Sequence, residues 1–88
     1  MQTVKEFVDL ENRKARIFNQ NEIKITDVPT IVAIIENNLS PENLACDGER
    51  PVSEQNKLEI YYNRCLNELK QAGYKWNLNY DTGKYELA

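Results

Sequence analysis

The chain has 88 residues, a hydrophobic content of 41% and a formal net charge of −3. These values predict a single domain, residues 1–88, with enough apolar side chains for a core but only modest stability. No apolar run approaches the roughly 20 residues that cross a bilayer, no signal-peptide pattern opens the chain, and two cysteines do not suggest a disulfide framework. We therefore expect a soluble protein of a reducing cytoplasm, with no membrane association.

The sequence contains no histidine. This removes the usual general base of enzymes and the commonest neutral metal ligand. No glycine-rich phosphate loop or nucleotide-binding fingerprint occurs either. We predict a protein that is not an enzyme and that uses no cofactor and no metal.

Charge is unevenly spread, because residues 25–59 contain two basic and seven acidic residues while both flanks are near neutral. Phosphate binding needs clustered lysines and arginines. An acidic middle therefore disfavours a simple nucleic-acid binder and favours a surface that binds another protein.

Residues 3–19 predict the first helix. Its apolar residues share one stripe, formed by Val4, Phe7, Val8, Ala15 and Phe18 and widened by Leu10 and Ile17. Acidic residues come early in this helix and basic residues late, which is the order that the helix dipole favours. We interpret Arg13, Lys14 and Arg16 as a solvated last turn, with phosphate binding as the alternative.

A polar loop, residues 19–24, separates this helix from a second one. Thr26 or Asp27 can cap the second helix, and Pro29 falls in its first turn, where a missing N–H is harmless. The apolar run that follows could also form a buried strand, but the cap and the proline favour a helix. Since this helix is apolar around most of its circumference, we expect it to be the most buried element, packed against both other helices.

Residues 40–52 are mostly polar. Ser40, Pro41 and Glu42 predict one short helical turn with Leu44 pointing inward. Asp47-Gly48 is a turn signal. Pro51 ends the segment before the longest helix.

Residues 53–73 predict that helix, capped by Ser53 at its start and followed by Gly73 at its end. The apolar residues of this segment lie on one helical face, which we expect to point into the core: Leu58, Tyr61, Tyr62, Cys65, Leu66, Leu69 and Ala72.

After Gly73 the apolar period changes from 3.6 to 2, which predicts a β-hairpin. A two-residue loop, Thr82-Gly83, would pair Tyr80 with Tyr85 and place all apolar side chains on one face. Because an isolated hairpin is marginal in water, this face should pack on the helices. The predicted fold is mainly α with a small β element (α+β), a three-helix bundle with a C-terminal two-stranded antiparallel hairpin.

Two sets of residues are candidates for binding. The first is a partner-binding group in the acidic middle: Glu42, Asp47, Glu49, Arg50 and Glu54. Its spacing does not match a calcium loop, and capping explains Glu42 and Glu54 equally well. The second set would bind single-stranded nucleic acid through basic side chains and an aromatic ring: Arg13, Lys14, Arg16, Lys75, Trp76 and Lys84.

The segment Leu39-Ser40-Pro41-Glu42-Asn43-Leu44, followed by Asp47-Gly48-Glu49 and a polar helix, resembles a segment of small phage and prophage proteins of unassigned function. The resemblance covers residues 39–54 and implies a phage-encoded accessory protein made in the bacterial cytoplasm. Such proteins often act by binding a host protein, including defence components such as those targeted by anti-CRISPR proteins. The expected function is therefore to bind and modulate a bacterial host protein. The alternatives are a small nucleic-acid-binding module and a homo-oligomer formed through the second helix.

Overall fold

The computed structural model describes residues 2–45 and 51–88. Their elements in chain order are α1 (Gln2–Ile17), α2 (Val28–Asn38), α3 (Pro41–Ala45), α4 (Val52–Gln71), β1 (Trp76–Asn79) and β2 (Lys84–Leu87). The two strands form one antiparallel sheet. The predicted α+β fold class is confirmed, with α3 as the expected short helical turn before the longest helix.

Helix α1 runs antiparallel to α4. Near its start, the backbone N–H groups of Thr3 and Val4 donate to the carboxylate of Glu68, at 3.1 and 2.9 Å. One turn later, the ring of Phe7 meets that of Tyr62 edge to face, with 6.1 Å between centroids. Advancing along α1 therefore means going backwards along α4.

One core joins α1, α2 and α4. Its fully or almost fully buried side chains are Val4, Phe7, Val8, Val28, Ile31, Val32, Ile35, Cys65, Leu66 and Leu69. The hairpin contributes half-buried aromatic residues, Trp76 and Tyr85, which pack against the same core. The apolar face of the hairpin therefore lies on the helices, as predicted.

Helix α2 has the predicted cap, because the side chain of Asp27 accepts from the N–H of Thr30 at 3.4 Å. Four of its side chains, Val28, Ile31, Val32 and Ile35, are completely buried. Its backbone approaches α4, α3 and β2 most closely. Its side chains share one core with those of α1 and α4, which agrees with the expected packing against both other helices, and β2 is an additional neighbour.

Helix α4 begins one residue earlier than predicted. Pro51 occupies the cap position, and no side chain of the described residues caps this end. The carbonyl of Pro51 accepts instead from the N–H groups of Glu54 and Gln55. Ser53 lies inside the first turn, so its predicted role as the cap is wrong.

The end of α4 agrees with the prediction. Gly73 adopts φ +93°, its N–H donates to Lys70, and the N–H of Tyr74 donates to Leu69. This pair of hydrogen bonds is the Schellman motif, which glycine favours because it has no Cβ. On the core-facing stripe of α4, Leu58 is only half-buried and Ala72 is exposed.

The hairpin register differs from the prediction by two residues. Trp76 pairs with Leu87 and Leu78 pairs with Tyr85, so the loop has four residues, Tyr80 to Gly83. A shift of two leaves each side chain on the same face, because side chains alternate with a period of two. Tyr80 consequently leaves the ladder and is 89% exposed.

None of the helices in the described part of the chain combines the length and the hydropathy that a bilayer span requires.

Candidate functional site

Of the five residues in the predicted partner-binding group, two lie in the described part of the chain. Glu42 lies in the first turn of α3 and Glu54 in the first turn of α4, and both are exposed. Asp47, Glu49 and Arg50 fall outside the described residues. Within residues 2–45 and 51–88, no group of three or more acids or cysteines could hold a metal ion. A partner-binding role for the five residues stays a prediction.

The basic candidates of α1 are largely paired with acids. The Arg16 guanidinium donates to Glu22 at 2.6 Å, and the Lys14 ammonium lies 3.6 Å from Glu11. The hydrogen bond between Arg16 and Glu22 raises the pKa of the guanidinium and lowers the pKa of the carboxyl. Arg13 alone of the three bases forms no ion pair with the described residues. This end of α1 is therefore only weakly positive.

Large apolar side chains are exposed on the same half of α1. Leu10 is 49% exposed, Ile17 77% and Phe18 69%. We call these three residues the α1 patch. Leu10 and Ile17 are seven residues apart and share a helical face, and Phe18 follows at the end of the helix. The apolar spacing predicts all three on the buried stripe of α1, and the structure corrects that expectation.

The chain reverses at the end of α1, directly after Phe18. Asn19 adopts a left-handed conformation, φ +53°, and the N–H of Gln20 donates to the carbonyl of Ala15 at 2.7 Å. This is a Schellman-type end with asparagine in the place of glycine. Phe18 is the last residue of the helical hydrogen-bond pattern, since its N–H donates to the carbonyl of Lys14 at 3.0 Å, and the chain reverses directly after it.

The loop after α1 is fixed by a side chain that the sequence analysis did not single out. The amide of Asn12 donates to the carbonyl of Ile23 at 3.0 Å and accepts from the N–H of Ile23 at 2.7 Å. Together with the bond between Arg16 and Glu22, this holds the returning chain against α1. The loop that follows the α1 patch is therefore held in place against the helix.

A second surface feature lies where α4 meets the hairpin. An open groove of about 460 Å³ is lined by Lys70, Tyr74, Lys75 and Trp76. We call it the Trp76 groove. The Lys70 ammonium lies over the Trp76 ring, 5.8 Å from its centroid. The Schellman turn at Gly73 creates the groove, because it folds Tyr74–Trp76 back beside the last turn of α4.

The structure separates the residues predicted to bind nucleic acid. Lys75 and Trp76 line the Trp76 groove at the open end of the hairpin, whereas Lys84 lies beside Thr30 and Ile34 at its turn end. Because α1 and α4 are antiparallel, the bases of α1 lie far from the groove. Arg13 is nine residues beyond Val4, which is about 14 Å along the helix axis. The six residues do not form one surface.

Lys70 and Tyr74 were not predicted as site residues. A usable signal was present in the sequence, because Gly73 marks a helix end that reverses the chain. Residues three before and one after such a glycine are brought close together. Applying that geometry to Lys70 and Tyr74 would have placed both beside Trp76.

The carboxylate of Glu68 has a structural task near the start of α1. Partial burial alone would raise the pKa of Glu68, but hydrogen bonds from the backbone of Val4 and Thr3 and from the Thr3 hydroxyl outweigh it and lower the pKa. The carboxylate therefore stays charged and satisfies two of the N–H groups that a helix leaves unbonded at its start.

Cys65 and Tyr61 both have raised pKa values and stay protonated at neutral pH. Burial raises the pKa of the Cys65 thiol to about 11, with a further contribution from Glu68, so the reactive thiolate is suppressed. Burial likewise raises the pKa of Tyr61 to about 12. Cys65 is a core side chain, as predicted, while Cys46 falls outside the described residues.

No family model matches the chain, and neither a curated protein nor a solved structure matches it. The candidate surfaces therefore rest on the geometry described above.

Proposed function

We propose that this protein is a non-enzymatic, phage-type accessory protein that binds and modulates a bacterial host protein. The observation that carries the proposal is the exposure of the α1 patch, Leu10, Ile17 and Phe18. The resemblance of residues 39–54 to phage and prophage proteins supplies the expected setting.

The α1 patch supports protein binding because its exposure is not required by the fold. Single exposed apolar residues are normal on a protein surface, but a group of large ones marks an interaction site more often. Here three of them occur within nine residues, and two of them, Ile17 and Phe18, are more than two-thirds exposed. A partner could bury all three on one short stretch of α1.

The charges around the patch indicate the chemistry of the partner. Leu10 lines a shallow hollow together with Glu6, Asp9 and Arg13, while Lys14 and Arg16, which are closer to Ile17 in sequence, have acidic partners. Such a surface suits an apolar centre with a polar rim, the arrangement usual at protein interfaces. The partner should present an apolar pocket with charged groups of both signs at its edge.

Affinity capture from bacterial lysate tests the proposal when it uses matched variants. Ile17→Glu and Phe18→Glu alter the patch, and Ile60→Glu is the control, because Ile60 is 61% exposed on α4. We expect one host protein to be captured by the natural sequence and by the control, and to be lost with both patch variants. Binding of the purified host protein should weaken at least about tenfold, or about 1.4 kcal/mol.

Circular dichroism of each variant shows whether its helices are intact. Equal capture by all four proteins would assign the interaction to another surface and overturn the role of the α1 patch. Capture of no host protein would overturn the proposed function. Self-association of the natural sequence in sedimentation that is lost in both patch variants would show that a second copy covers the patch. That result would also overturn the proposed function.

A further inference from the structure

We propose that the Trp76 groove binds a nucleotide unit, with the base against its aromatic rings and the phosphate on its two lysines. The inference goes beyond the proposed function and uses a different surface. The groove combines Tyr74 and Trp76 with the ammonium groups of Lys70 and Lys75. Aromatic side chains beside lysines or arginines are the usual means by which proteins hold single-stranded nucleic acid without sequence preference.

The charge of the groove favours an anionic occupant. Both lysines are exposed, and neither forms an ion pair with a carboxylate in the described part of the chain. This distinguishes them from Lys14 and Arg16, which are paired. Two unpaired ammonium groups at one groove, in a chain whose net charge is −3, form a local site for a phosphate.

The position of Lys70 is compatible with stacking. Its ammonium now lies over the Trp76 ring, 5.8 Å from the centroid. A contact of this kind at an exposed site is weaker than the stacking of a base on an aromatic ring. A bound nucleotide can therefore turn Lys70 away from the ring towards its phosphate and use the ring itself. The groove volume of about 460 Å³ lies within the range of roughly 300–1,000 Å³ that small-ligand sites occupy.

Tryptophan fluorescence gives a direct test, because Trp76 is the only tryptophan of the chain. The ligands are oligothymidylate and thymidine monophosphate, with an abasic oligomer as the phosphate-only control. We expect saturable quenching by oligothymidylate, with a slope of log K against log salt near about −0.7, the value for one neutralised phosphate on a single strand. Comparable binding of the monophosphate would identify a free nucleotide as the ligand, and binding of the oligomer alone would identify a strand.

The double variant Lys70→Gln/Lys75→Gln should weaken binding at low salt at least tenfold and bring the salt slope close to zero. Lys57→Gln is the matched control, since Lys57 is exposed on α4 about 20 Å from Lys70 along the helix. Circular dichroism confirms that each variant is folded.

Three results would overturn the proposal. The first is the absence of saturable quenching with either thymidine ligand. The second is equal binding of the abasic oligomer, which would show that no base is stacked. The third is an unchanged salt slope in the double variant.

Discussion

The hydroxyl oxygen of Tyr61 is buried, and no hydrogen-bond partner for it lies among the described residues. Its ring nevertheless packs against Tyr62, with 5.5 Å between centroids, and against the core. A buried polar atom without a partner destabilises the folded state, because it loses its hydrogen bonds to water. The ring of Tyr61 thus stabilises the folded state through packing, while its hydroxyl destabilises it.

We therefore expect Tyr61→Phe to leave the free energy of unfolding unchanged or to raise it by about 1 kcal/mol. Urea denaturation followed by circular dichroism measures the change. Tyr80→Phe is the control, because Tyr80 is 89% exposed and its hydroxyl can reach water in both states. A loss of more than about 1 kcal/mol in Tyr61→Phe would show that the hydroxyl does make a stabilising bond.

Single residues also show where sequence reasoning failed. Phe18 continues the apolar spacing of α1, so the pattern assigned it to the core. The helix ends directly after it because Asn19 takes the left-handed conformation, which asparagine tolerates better than most residues. Spacing alone cannot detect such an end, although the run Asn19-Gln20-Asn21 indicates one.

At the scale of elements, the start of α1 depends on a side chain of α4. Glu68 accepts the N–H groups of Thr3 and Val4, which lie more than sixty residues away in sequence. A carboxylate at a helix start also interacts favourably with the helix dipole. No pattern within α1 predicts this cap, because it comes from another element and only the folded chain brings the two together.

Glu68→Gln should lower the free energy of unfolding by about 1 kcal/mol at neutral pH, since the neutral amide loses the charge and one acceptor. The pKa of Glu68 is lower in the folded than in the unfolded state. Its contribution to stability is therefore complete above the unfolded pKa, about 4.3, and disappears as the pH falls through the folded pKa.

Denaturation of both proteins across this pH range measures the difference. The natural protein should be more stable above the unfolded pKa, and the two curves should converge in stronger acid. Glu59→Gln is the control, because Glu59 is exposed on α4 and makes no hydrogen bond to a backbone N–H of the described residues. A difference that does not depend on pH would contradict the role of the Glu68 charge.

The hairpin shows what an element-level pattern can and cannot predict. Alternation identified both strands and the buried face, because both follow from the period of two. The register was wrong because it was chosen to maximise apolar pairs. The turn is held instead by Asn79, whose side-chain oxygen accepts the N–H groups of Asp81 and Thr82 at 3.0 and 3.3 Å. Gly83, at φ +68°, then returns the chain to β2.

At the scale of the whole molecule, one small core holds three helices and the hairpin together. Its centre is α2, whose side chains reach both α4 and the sheet. A core of this size leaves little reserve, because domains are typically stable by only about 5–15 kcal/mol in total. The composition and the apolar spacing predicted this core, while the pairing of α1 with α4 required contacts that no single segment reveals.

Neighbouring isoleucines of α2 offer a matched test of that core. Ile35 is completely buried and Ile34 is half-buried beside the hairpin. Ile35→Ala should lower the free energy of unfolding by about 2–5 kcal/mol, since it leaves a cavity. Ile34→Ala should cost less, about 1–2 kcal/mol, because it removes less area from contact. Thermal and urea denaturation measure both, and equal losses would contradict the assigned centre of the core.

The surfaces were less predictable than the core. Burial follows from apolar spacing, but a binding surface depends on which exposed side chains meet. The predicted nucleic-acid residues were divided between distant places, and the Trp76 groove arose from a chain reversal at Gly73. The α1 patch became apparent only in the structure, because the apolar spacing had predicted its three residues in the core.

The long separation between Thr3 and Glu68 also has a consequence for synthesis on the ribosome. Helix α1 is made well before α4, so Val4, Phe7 and Val8 leave the exit tunnel before the surface that will cover them exists. During translation these side chains are open to chaperones or to neighbouring nascent chains. Docking of α1 must therefore be a late step, completed only after most of the polypeptide has been synthesised.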